Sequence, residues 1–135
     1  MPFIKWGADL SVQVESIDEQ HKKILEMIDE LQDHVKRGSQ RQCLDEALVR
    51  LSVYTVKHFI YEEALFKKHG YEHEKEHKKE HDGLADQVTE FHKKHTIQKE
   101  AIAADRLDFF REMICDHITT YDRDYINFMS AHEIK

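Results

Sequence analysis

The chain has 135 residues, 35% of them charged, a formal charge of −7, one proline and four glycines. That size suits one domain with a core of its own, and so few breakers point to long helices joined by short turns. The acidic balance disfavours a nucleic-acid partner, which needs a basic face, and no apolar run approaches the ~20 residues that cross a bilayer, so membrane insertion is not expected.

Residues 1–15 read as an irregular arm. Ser16-Ile17-Asp18-Glu19 then has the S-x-x-E form of a capping box. Apolar residues or histidine follow at 17, 21, 24, 28, 31 and 35, a seam of alternating three and four that stops at Gly38, a residue suited to ending a helix. Ser39-Gln40-Arg41-Gln42 can cap a second helix, whose inward positions are Leu44, Leu48, Leu51, Thr55, His58, Glu62 and Leu65, ending near Gly70. A third helix starts around Glu72, carries 77, 81, 84, 88, 91 and 95 on one face, and breaks loosely between Thr96 and Lys99. A fourth, with Asp105 as N-cap, turns Leu107, Phe110, Ile114, His117, Tyr121 and Phe128 inward. Three short connections favour an all-α, up-down-up-down antiparallel four-helix bundle spanning about residues 16–130. Cys43 and Cys115 form no CxxC pair and no export signal opens the chain, which suits a reducing cytoplasm.

Histidine is the outlier, present eleven times. In the up-down topology His21, His58 with Glu62, His77 with His81, and His117 with Asp122 all fall roughly 6–20 Å from one end of the bundle, at 1.5 Å per residue. Residues four apart share a helix face, so His77/His81 can grip one ion and His58/Glu62 can present side by side. His117 and Asp122 are five apart, which in an α-helix turns them about 140° and makes them flank the inward direction. Five imidazoles and two carboxylates exceed what one ion uses but suit two bridged ions, one with three histidines and one with two, the second keeping an open position. Imidazole binds Zn, Cu, Fe and Ni alike, so the ligands alone do not choose the metal.

Taken singly, each element has an ordinary reading: a His-x-x-x-His pair on a Lys/Glu-rich helix is surface decoration, His21 a core histidine, Glu62 and Asp122 caps or surface acids. Together they would bury too many ionisable groups in one layer without a cation to hold them. His34, His69, His73, His92, His95 and His132 keep the ordinary reading. His73 is four residues from His77 but sits at a frayed helix start.

These pieces resemble the hemerythrin family, specifically the single-domain bacterial hemerythrins. The resemblance runs from Trp6 to Phe128 and rests on Trp6, Ile17-Asp18-Glu19-Gln20-His21, His58-Phe59-Ile60-Tyr61-Glu62-Glu63, Gly70-Tyr71, His77-Lys78-Lys79-Glu80-His81 and His117-Ile118-Thr119-Thr120-Tyr121-Asp122. Glu72 stands where many relatives have proline, which affects only the turn into the third helix. The resemblance implies two iron ions with an oxo or hydroxo bridge, one held by His77, His81 and His117, the other by His21 and His58, with Glu62 and Asp122 bridging. It implies O2 binding at the second ion.

Replacing most carboxylates of a di-iron site by neutral imidazoles should support high-valent iron poorly, which favours carrying O2 over activating it. Ile114 and Ile118 are placed to wall a dry O2 pocket, with Phe59 and Met113 as secondary candidates. The expected function is O2 storage, delivery to an oxygen-consuming enzyme, or sensing by a cytoplasmic monomer. The alternative is a redox enzyme reducing peroxide or nitric oxide, for which Tyr61 and Tyr121 near the ligands speak.

Overall fold

A computed structural model describes residues 10–97 and 104–134, the side chains of Thr96, Ala104 and Asp105 apart. Every regular element among the described residues is helical: α1 Glu15–Lys36, α2 Arg41–His69, α3 Glu74–His92 running into a π-helical turn Lys93–Ile97, and α4 Ala104–His117. After α4 the chain continues through a π-helical turn Ile118–Asp122, a 3-10 turn Arg123–Tyr125 and a short α5, Ile126–Ala131. Neighbours in sequence pack side by side and α4 closes against α1, giving the expected antiparallel bundle. No helix of the described residues is long and apolar enough to cross a membrane.

The seam read along α1 is buried as expected: Ile17, His21, Ile24, Ile28 and Leu31 face the core, with Val35 at its edge. Its C-terminus closes as a Schellman motif. Gly38 takes φ +66°, its N–H bonds the Val35 carbonyl at 3.2 Å, and the Ser39 N–H reaches the His34 carbonyl at 3.0 Å. Gly70 ends α2 in the same left-handed region, at φ +73°.

The start signals were misleading. α1 begins at Glu15 with Val14 as its cap, so Ser16 lies inside the first turn and the expected box does not form. Asp18 instead accepts the Val12 N–H (2.9 Å) and the Ser11 hydroxyl (2.7 Å), pinning the arm to the helix. The arm is therefore structural from Leu10 onward, with Leu10, Val12 and Val14 buried in alternation. Trp6, on which part of the resemblance rests, lies outside the described residues. α2 likewise starts without a side-chain cap, since Ser39 is engaged by His34 Nδ1 at 3.0 Å. Asp105 already has helical backbone, so it is not an N-cap. Of the loose break expected between Thr96 and Lys99, residues 98 and 99 fall outside the described part.

Two inward positions are also corrected. On α2, Phe66 is buried and Leu65 only partly so. Beyond α4 the π-helical turn shifts the stripe by one, so Tyr121 is 37% exposed while Asp122, Tyr125 and Met129 are buried. A buried Arg111 ties α4 back to α1 through Asp29.

Candidate metal centre

All seven side chains singled out by the sequence converge inside one end of the bundle, none more than 3% exposed. His21 comes from the second turn of α1, His58 and Glu62 from successive turns of α2, His77 and His81 from the first turns of α3, and His117 and Asp122 from the junction after α4. That junction explains the five-residue spacing. In an α-helix His117 and Asp122 would point apart, but the wider π-helical turn, bonded from i to i+5, rotates less per residue, and His117 Nε2 lies 3.0 Å from Asp122 Oδ1. The expected flanking arrangement is thus replaced by a converging one.

Asp122 is the hub. Its Oδ1 lies 2.7 Å from His77 Nε2, and its Oδ2 lies 3.0 Å from His21 Nε2. Glu62 Oε1 is 3.0 Å from His81 Nε2 and 3.6 Å from both His58 Nε2 and His77 Nε2. The donor atoms sort into two sets, each confined within 4.8 Å: Glu62, His77, His81, His117 and Asp122 in one, His21, His58, Glu62 and Asp122 in the other. Both carboxylates belong to both sets.

The donor chemistry fits a cation. The Nε2 atoms of all five histidines, Glu62 Oε1 and both Asp122 oxygens are buried without a hydrogen-bond partner, close as they lie to one another. Buried polar atoms are rarely left so, and here they aim at shared points. Electrostatics follow the same logic. Burial and mutual repulsion would raise both carboxyls, yet the surrounding imidazoles hold Glu62 and Asp122 well below the usual carboxylate range. Burial pushes His58 down to about 4, the neutral form a metal requires. For His77 burial acts the same way, but the adjacent Asp122 and Glu62 carboxylates override it and push it up to about 9.

Three supporting residues were not legible as such. Gln20 Oε1 accepts from His58 Nδ1 at 2.6 Å and Glu63 Oε2 from His81 Nδ1 at 2.9 Å, which turns each Nε2 inward. The buried Tyr125 hydroxyl donates to Glu62 Oε2 at 2.5 Å while its ring stacks on His77. Gln20 and Glu63 adjoin ligands in sequence, the one signal that could have marked them. Tyr125→Phe should leave Glu62 short of a donor and cost about 1–3 kcal/mol in a denaturant melt, with bound metal retained. A variant as stable as the parent would show that this hydrogen bond carries no weight.

Of the pocket-wall residues, Phe59 stands directly on the cluster, its ring stacked on His81 at 4.1 Å and tilted against His58 at 5.8 Å. Ile114 and Ile118 are buried, and Met113 packs at the core edge. Tyr121 stacks on His117 but is partly exposed, and the Tyr61 hydroxyl is donated to Ser16 at 2.9 Å. The remaining histidines stay outside the cluster. His95 is buried at the other end of α3, with Nδ1 2.5 Å from Asp45 Oδ1.

Fold and site together define a class: a four-helix bundle with a buried histidine–carboxylate cluster able to hold cations. Residues 12–128 match the hemerythrin HHE cation binding domain, and the chain belongs to the hemerythrin family. It is similar to a bacteriohemerythrin from Methylococcus capsulatus, 31% identical over 132 residues that span 97% of this chain and 100% of the relative. A Pseudomonas aeruginosa bacteriohemerythrin is 29% identical over 127 residues, 94% of this chain and 82% of the relative. The crystal structure of a wild-type hemerythrin superposes with a TM-score of 0.87 at 31% identity, covering 93% of this chain and 97% of that one.

Proposed function

We propose that this protein binds O2 reversibly at a non-haem di-iron centre. The observation that carries the reading is the membership of Glu62 and Asp122 in both donor sets: two carboxylates placed to bridge, with three imidazoles on one side and two on the other. His77, His81 and His117 would hold one iron, His21 and His58 the second, which keeps a position free. Bound there, such a pair would supply the electrons and a coordination position for O2. The names of the relatives, bacteriohemerythrin, agree with this choice of metal and ligand.

The chain's own residues do the rest. Gln20 and Glu63 orient imidazoles, Tyr125 fixes Glu62, and Phe59, Ile114 and Ile118 keep water from the cluster. Neutral imidazole donors and an apolar wall favour release of O2 over its reduction. We read the protein as a cytoplasmic monomer that stores O2, senses it or passes it to an oxygen-consuming enzyme. Reduction of peroxide or nitric oxide is the competing activity, and the buried phenol of Tyr125 beside Glu62 is the group that favours it.

The deciding experiment is a visible spectrum of the reduced protein before and after air, with metal quantification. Two irons per chain and a charge-transfer band that reverses on degassing are expected. Steady turnover of H2O2 or NO well above the oxidation rate in air would instead assign the enzyme. Ile118→Ala should keep both irons and oxidise in air roughly tenfold faster, the effect of about 1.4 kcal/mol lost from water exclusion. An unchanged rate would remove Ile118 from the pocket wall.

A further inference from the structure

The cluster is buried, yet one of its histidines lines a surface cleft. His77, 2% exposed, forms the inner wall of a cleft of about 220 Å³ whose other walls are Tyr71, His73, Glu76, Tyr121 and Asp124. The cleft adjoins a larger one of about 790 Å³, and the two share Tyr71, His73 and Asp124. Farther out the larger cleft holds His69 and His132, whose ring centroids are 5.1 Å apart, the same separation as His81 and His117 inside the cluster. His132 Nδ1 donates to the Phe128 carbonyl at 2.9 Å, which leaves Nε2 as its free acceptor. Imidazoles and carboxylates, Glu72 among them, thus recur along both clefts, interleaved with the aromatic rings of Tyr71, Tyr121 and Phe128.

From this continuity we infer that the two clefts form the loading route for the divalent cation, captured at His69 and His132, passed by His73, Asp124 and Glu76, and delivered at His77. The inference rests on the reading of the cluster as an iron site and goes beyond it by assigning the direction of entry. Oxygen and imidazole donors suit a ferrous ion in transit, because each exposed group binds weakly and releases readily. Carboxylates around a narrow mouth also concentrate cations and raise their rate of entry, an effect that salt screens.

The test compares the metal-free full-length protein with Glu76→Gln/Asp124→Asn in anaerobic stopped-flow uptake of Fe2+, alongside a control pair, Asp86→Asn/Glu112→Gln, with the same change of charge. All four positions are exposed. The route predicts that the cleft pair slows uptake about tenfold at low salt, that 0.5 M salt narrows the difference, and that the control pair loads like the parent. Final iron per chain and circular dichroism should match in all three. Equal uptake by the cleft pair and the parent, or equal slowing by the control pair, overturns the route while the metal centre stands. No iron uptake by the parent protein overturns the centre itself, and the route with it.

Discussion

Asp122→Ala is expected to strip the protein of both ions, whereas His58→Ala is expected to leave one. Asp122 belongs to both donor sets and lies 2.7–3.0 Å from three imidazoles, those of His77, His21 and His117. If both sets hold an ion, removing it would take a donor from each and also remove the main counter-charge of the imidazoles, at a cost of about 3 kcal/mol in folding. His58 belongs to one set only, and its loss leaves Glu62, His77, His81, His117 and Asp122 in place. Its neutral form carries no charge whose partner would be orphaned, so truncation costs packing and the hydrogen bond to Gln20. Metal analysis on the two purified variants is decisive. Equal iron content in both would show that the carboxylate does not bridge.

The contrast between these residues also shows what a sequence can and cannot reveal. His58 and Glu62, like His77 and His81, were legible because an α-helix puts residues four apart on one face. Asp122 was legible as a candidate ligand but not in its placement, because the π-helical turn Ile118–Asp122, bonded from i to i+5, turns less per residue than an α-helix. The same turn displaces Tyr121 outward and draws Tyr125 in, so the inward stripe could not be extrapolated past His117. Helix starts misled for a different reason. Ser16 and Ser39 have capping chemistry, but Asp18 holds the arm against the first turn of α1 and His34 occupies Ser39, so neither cap forms. Gln20 and Glu63 are polar residues at the flank of an amphipathic face. Such positions normally meet solvent, and only the partner helices turn these two toward imidazoles.

Removal of the metal is expected to lower the melting temperature by about 15 °C or more. A ligand that binds only the folded chain at a thousandfold above its dissociation constant adds about 4 kcal/mol, and at this length each kcal/mol moves the midpoint by about 4 °C. The stripped protein should also lose stability as pH rises. With its pKa raised to about 9, His77 contributes ion pairing that is fully present below its unfolded value of 6.5 and disappears as pH climbs through 9. His21 and His81, also raised, act in the same direction, burial being outweighed by the carboxylates of Asp122 and Glu62 beside His21 and of Glu62 and Glu63 beside His81. The loaded protein holds these rings neutral on the metal and should lack this loss. The gap between loaded and stripped melting temperatures should therefore widen between pH 6.5 and 9.5. Calorimetric scans of both forms across that range check it. A gap that stays constant or narrows would mean that the imidazoles and carboxylates do not share protons when the cation is gone.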